Sequence, residues 1–299
     1  MLVKAREWES EHFHAAQGPA KPFLKWAGGK RALLPELAKY LRPPDAEHTY
    51  FEPFLGAGAV FFAVSPQKAV LGDINSALIQ TFKVVKSRAP SLIAFLDSLP
   101  KSPTHDQYYI ARRRFNELVA GGHPVRFDDS VEVAALMIWL NHTCFNGLYR
   151  VNASGQFNVP MGGGKDRLIY SASAIRLASA ALRAAQTDLL AGSYEKVLDS
   201  AGPGDVAYLD PPYEPISEVG NFTEYASSGF SWDDQVRLAE LCTVLARRGC
   251  RVVVSNSSSS QVRLLYRDFD VHPVWAHRMI SSDRRTRSPI REAIFVSRG

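Results

Sequence analysis

Cysteine is scarce in this chain: Cys144, Cys242 and Cys250 are the only three among 299 residues. None stands in a CxxC or other paired spacing, so neither a disulfide framework nor a zinc site has a basis here, and the content suits a reducing cytoplasm. Histidines are scattered, and the one close pair, His12 and His14, lies in a polar N-terminal stretch. No metal is expected. No apolar run approaches the ~20 residues of a membrane span. A signal-peptide core and internal repeats are also lacking. The four serines Ser257 to Ser260 are the sole low-complexity patch.

What is present is a globular composition, 46% apolar and 22% charged, long enough for one large domain or two modest ones. The net charge of +5 and the pI near 9.1 hint mildly at a polyanionic partner. Five arginines between Arg278 and Arg291, among them Arg284 and Arg285, face only Asp283. That density, with Arg112 to Arg114, reads as phosphate contacts, although a charge run is more often a solvated face.

The most informative stretch is Tyr208-Leu209-Asp210-Pro211-Pro212-Tyr213. Val206 to Leu209 predicts a short buried strand, and two consecutive prolines cannot continue a paired strand. The chain must therefore leave the sheet at Asp210, at the strand edge where open α/β sheets bind ligands. An exocyclic amine on a nucleobase is a poor nucleophile, because its lone pair is delocalised into the ring. The Asp210 carboxylate and the Pro211 carbonyl are acceptors for its N–H groups, and Tyr213 offers a face for a flat base. The plain alternative is a proline turn with Asp210 as a cap or ion-pair partner.

Two glycine turns precede it. Pro22 to Arg31 contains Trp26-Ala27-Gly28-Gly29-Lys30, followed by a helical pattern at Leu33, Leu34, Leu37, Ala38 and Leu41. Tyr50 to Phe62 reads as strand, Gly56-Ala57-Gly58 turn and helix. A GxG alone is unspecific, but Asp73 ends a second apolar strand, Ala69 to Gly72. An acidic residue there binds ribose hydroxyls in nucleotide folds, or else caps the next helix.

From about 85 to 170 the βα alternation stops. Ser91–Leu99, Tyr108–Val119 and Val131–Leu140 predict helices, and Ala153-Ser154-Gly155 predicts a hairpin turn between two short strands. We read residues 1–20 as a mobile tail, 21–84 and 170–299 as a catalytic domain, and 85–169 as an insertion. After 171 the expected elements are a helix at 175–185, a strand at 188–191, a helix at 194–198, a helix at 232–247, and strands at 250–255 and 293–297.

In order along the chain stand FLKWAGGK (Phe23 to Lys30), EPFLGAGAVF (Glu52 to Phe61), DIN (Asp73 to Asn75), CFNGLYR (Cys144 to Arg150), FNVP (Phe157 to Pro160), DPPY (Asp210 to Tyr213), NFT (Asn221 to Thr223), SN (Ser255-Asn256) and ISS (Ile280 to Ser282). This ordered set resembles the S-adenosylmethionine-dependent DNA adenine-N6 methyltransferases of the Dam type, over about residues 22 to 297. The resemblance implies a Rossmann-like α/β sheet, mostly parallel with one antiparallel strand, and makes the insertion a helical and β-hairpin target-recognition domain. It implies S-adenosylmethionine as cofactor, held by Trp26, Lys30, Phe54, Gly56, Gly58, Asp73 and Asp210. Asp210, Pro211, Pro212 and Tyr213 would be catalytic, acting on an adenine flipped out of double-stranded DNA. Lys25, Phe145, Asn146, Leu148, Arg150 and Pro160 would enter or read the DNA, within GATC; Arg284 and Arg285 are candidates for phosphates from the charge run alone. The loop at Asn221 to Tyr225 would hold the extruded base. Some family members carry an acidic residue where this chain has Ala191 to Tyr194. A monomer acting on the nucleoid in the cytoplasm is the expectation. The alternatives are an amino methyltransferase acting on cytosine N4 or RNA, and a DNA-binding module without catalysis; intact Asp210, Asp73 and Lys30 oppose the second.

Overall fold

A computed structural model describes residues 20–120, 130–163, 169–213, 230–277 and 289–298. A 3-10 turn at Lys30–Leu33 leads into the one-turn helix α1 (Leu34–Leu37). The longer helix expected through Leu41 does not form. Pro35 lies in the first turn of α1, and Leu41 closes onto the Leu37 carbonyl in a turn. Then come β1 (Tyr50–Glu52), α2 (Ala59–Val64), β2 (Ala69–Asp73) and α3 (Ser76–Ser98). The insertion contributes α4 (His105–Val119) and α5 (Ser130–Thr143). There follow α6 (Ala172–Ala184), β3 (Asp188–Ala191), α7 (Tyr194–Leu198), β4 (Val206–Leu209), α8 (Trp232–Arg247), β5 (Arg251–Ser257), α9 (Ser260–Leu265), β6 (Phe269–His277) and β7 (Pro289–Ser297).

The seven strands form one sheet in the order β3-β2-β1-β4-β5-β7-β6. Pairings are parallel except those of β7, which runs antiparallel to both neighbours, as expected. The order reverses direction between β1 and β4, the switch point at whose C-terminal edge such sheets bind ligands. The sequence reading lacked β6, whose Pro273 interrupts a polar-apolar alternation on an edge strand. It also lacked α9, whose Ser259 cap accepts from Val262 N.

Helix α3 is longer than Ser91–Leu99 because Asn75 caps it at 3.1 Å through Leu78 N. It bends at Arg88 ahead of Pro90. The expected domain boundary at 84/85 falls inside this helix, which packs on α5 of the insertion and on α6 and β3 of the sheet domain. One apolar core accordingly joins sheet and insertion. Helix α5 is apolar on all sides and buried from Val133 to Asn141, the pattern of a central helix. Among the described residues no helix is long and apolar enough to cross a membrane.

Candidate active site

Strand β4 is buried along its length and stops where Pro211 removes the next ladder donor. The path of the two prolines is then fixed from α8: Gln235 Nε2 donates to the Pro212 carbonyl at 2.8 Å, and Asn256 Nδ2 donates to Gln235 Oε1 at 3.0 Å. Ser255 meets the Tyr208 hydroxyl at 2.9 Å. The SN pair at the end of β5 thus braces the DPPY stretch from below.

Asp210 emerges with its side chain 19% exposed, and its Oδ1 lies 2.9 Å from Lys30 Nζ. Lys30 also donates to the Gly28 carbonyl at 3.1 Å, so the first glycine turn aims its own lysine at the end of β4. The same ammonium lies 4.6 Å from the centroid of the Tyr213 ring and 4.0 Å from Glu292 Oε2 on β7. The Tyr213 hydroxyl donates to that Glu292 oxygen at 2.9 Å. Burial raises the Asp210 pKa to about 6; Lys30 opposes the rise and the Glu292 charge adds to it. Glu52, at the end of β1, is pushed up to about 8 by burial, with the Tyr50 hydroxyl pulling the other way and the Asp210 charge adding to the rise. Glu52 and Glu292 were absent from the candidates read in the sequence.

The second glycine turn is tied to β2. Asp73 Oδ2 accepts from Gly56 N at 3.0 Å and Oδ1 from Asn75 N at 2.9 Å. Burial raises the Asp73 pKa against these two bonds. Gly56 and Gly58 have φ of 49° and 72°, and a Cβ on Gly56 would stand 2.8 Å from Trp26 Cδ1. Glycine is therefore needed both for conformation and for the approach of the indole. Contacts thus link Trp26 to Gly56 and Gly56 to Asp73, and a second set links Lys30 to Asp210. Phe54 is stacked on Tyr194 at 5.7 Å and edge-on to Phe230 at 5.9 Å. Asp73 does not cap the next helix as one reading had it, because Asn75 takes that position; Asp73 instead anchors the Gly56 turn and the Asn75 amide.

The candidate DNA-reading residues form a neighbouring group. Asn146 and Gly147 take φ of 54° and 64°, a pair of left-handed residues that turns Phe145 outward to 47% exposure. Lys25 packs on this turn, where a Cβ on Gly147 would lie 2.6 Å from Lys25 Cβ. Asn141, on α5, holds both segments. Its Oδ1 accepts from Lys25 N at 2.8 Å, and its Nδ2 donates to the carbonyls of Lys25 at 2.8 Å and Gly147 at 3.0 Å. Tyr149 stacks on Trp26 at 5.7 Å, which brings this turn against the first glycine turn. Leu148 is half-buried, and Arg150 and Pro160 are exposed. Arg150 Nε donates to Asn158 Oδ1 at 2.8 Å. The hairpin exists as a turn with isolated bridges, Val151 to Phe157 and Cys144 to Met161, rather than as two strands. Its hold comes instead from α4: the Tyr108 hydroxyl donates to Val159 O at 2.8 Å, and Asn116 bonds both backbone groups of Phe157.

Two of the three α4 arginines have internal partners. Arg112 donates to Val159 O and stacks over Tyr109, and Arg114 makes a bidentate pair with Glu132. Arg284, Arg285 and the Asn221 to Tyr225 loop lie outside the described residues. Among the described residues no group of three or more His, Cys, Asp or Glu is placed to hold a metal.

Comparison with known proteins places this geometry in context. The model of the D12 class N6 adenine-specific DNA methyltransferases matches residues 26–280. The type II methyltransferase M1.LlaDCHI of Lactococcus lactis subsp. cremoris is 40% identical over 281 residues, 93% of this chain and 96% of that protein. The type II methyltransferase M.MjaIII of Methanocaldococcus jannaschii is 36% identical over 276 residues, 87% of this chain and 93% of that protein. The DNA adenine methylase of Escherichia coli K12 is 34% identical over 278 residues, 92% of this chain and 95% of that protein.

Proposed function

The chain belongs to the D12 class of N6 adenine-specific DNA methyltransferases, and from that premise we propose that it uses S-adenosylmethionine, extrudes its target adenine from the duplex, and acts within GATC. The observation that carries this reading is the Lys30–Asp210 ion pair, which joins the first glycine turn to the end of β4.

The residues present fit the donor. Two left-handed glycines, the Trp26 indole against Gly56, and the Asp73 carboxylate form a cradle that a side chain at Gly56 would fill. When bound, the cofactor supplies an activated methyl group, which leaves alignment and amine polarisation to the protein. Asp210 is ionised above about 6, so at neutral pH it accepts a hydrogen bond from the target amine. That bond favours the tetrahedral nitrogen whose lone pair is free to attack. Lys30 holds the carboxylate in place, and the Tyr213 ring offers the stacking face. A duplex adenine reaches such a recess only by leaving its stack, at a cost of a few kcal/mol. Phe145, exposed beside the reading turn, is suited to occupy the vacated space. Arg150 is suited to pair with guanine O6 and N7.

Tritiated-methyl transfer to plasmid DNA tests the activity, and sequencing of methylated DNA from an expression host tests the site. Asp210→Ala should bind donor and DNA and transfer no methyl. Near-normal turnover by that variant would reject the assignment.

A further inference from the structure

The DPPY stretch and the glycine turns leave one charged group of the centre unassigned. Glu292 sits near the start of β7, opposite Ser257 of β5 and Val274 of β6. Its side chain is 14% exposed, in the same recess as Asp210. A carboxylate so placed needs partners, and it has two that the proposed chemistry uses. The Tyr213 hydroxyl donates to Oε2 at 2.9 Å, and Lys30 Nζ lies 4.0 Å from the same atom. Lys30 is thus set between two carboxylates, 2.9 Å from one and 4.0 Å from the other. The Tyr213 ring is held at its far end by Glu292 and covered by the lysine ammonium.

We propose that Glu292 is a positioning residue of the methyl-transfer centre, which fixes the Tyr213 ring and the Lys30 ammonium and through them the Asp210 carboxylate. The proposal rests on the reading of Asp210 and Tyr213 given above. A purely structural role for Glu292 would be met by any residue that fits the sheet. The positioning role instead requires an acceptor for the Tyr213 hydroxyl and a negative charge beside Lys30. The charged and titratable groups facing this pair of carboxylates are Lys30 from the first glycine turn, Glu52 from β1, Tyr208 from β4 and Tyr213 after it. The tyrosines are held protonated by burial and by the neighbouring carboxylates. The Glu292 charge acts on Asp210 in the direction that resists ionisation.

Two substitutions separate the two requirements. Glu292→Gln keeps an acceptor for Tyr213 and removes the charge, whereas Glu292→Ala removes both. The Ala variant should lose roughly 10- to 100-fold in kcat, the scale of a lost charge-assisted hydrogen bond, with KM for DNA and donor affinity by calorimetry nearly unchanged. The Gln variant should recover part of that kcat, the share that rests on the Tyr213 acceptor alone. In donor-free protein with carbon-13-labelled aspartate, the Asp210 carboxyl midpoint should fall below its parental value of about 6 in Glu292→Gln. The acid limb of single-turnover methylation should move with it. Parental kcat in the Ala variant, or an unmoved midpoint in the Gln variant, would overturn the role. Should the Ala variant not fold, the near-isosteric Gln variant decides alone through its midpoint. An inactive parent would instead defeat the proposed function, whereas an active parent with unaffected variants would defeat only the role of Glu292.

Discussion

Glu52 gives a sharp test of the electrostatics beneath the site. It ends β1 at 2% exposure and accepts from the Tyr50 hydroxyl at 2.7 Å. Burial, the larger cause, and the Asp210 charge raise its pKa from 4.5 to about 8. The folded protein therefore binds a proton that the unfolded chain releases. For a raised carboxyl the stabilising contribution is full below 4.5 and is lost as pH climbs to about 8. At about 1.4 kcal/mol per pH unit, that window corresponds to an upper bound on the order of 5 kcal/mol. Glu52→Gln keeps an acceptor for Tyr50 and cannot ionise. Urea unfolding of both proteins at fixed ionic strength, in steps across the window, should show the parent losing stability relative to the variant by up to about 1.4 kcal/mol per pH unit. Above about 8 the two curves should run parallel. Asp73 and Asp210, whose pKa values are also raised, give slopes of the same sign in both proteins, so the difference isolates Glu52. A difference that stays flat across the window would refute a buried neutral carboxyl at the end of β1.

Lys30→Met removes the cation that lowers the Asp210 pKa; the acid limb of single-turnover methylation should move upward by roughly 1 to 3 pH units. Asn141→Leu removes three hydrogen bonds to the backbone of Lys25 and Gly147. It should cost on the order of 2–5 kcal/mol in unfolding free energy, measured by urea denaturation, and lower selectivity for the target over one-base variants. Arg150→Ala should relax discrimination at one base pair by ~1–3 kcal/mol in competition assays, whereas uniform weakening on all sequences would mark it as a phosphate contact.

How much of this could be read from the residues depends on the range of the interactions involved. Asp210 was legible because Pro211 and Pro212 force the chain out of the sheet wherever the strand lies. The place of Asp73 at the end of β2 was legible because strand, turn, helix and strand follow one another within a single βαβ unit, whereas its bond to Gly56 N was not read. Helix α5 was legible from its apolar run, and α8 from the acidic Asp233 and Asp234 in its first turn. The first half of α3 was not, because Pro90 reads as a helix start when the bend at Arg88 is unknown. Strand β6 was obscured by its own proline. Glu292 had no local signal at all: a lone carboxylate before the apolar run Ala293 to Val296 reads the same whether it faces water or a lysine from the far end of the chain. Its meaning comes only from topology. Strand β7 inserts antiparallel between β5 and β6, and Glu292, near its N-terminal end, thereby reaches the C-terminal edge of the parallel strands, where β4 delivers Asp210. An antiparallel strand is the element that can bring a residue from its beginning to the edge where every parallel strand ends. The second carboxylate of the centre accordingly comes from β7.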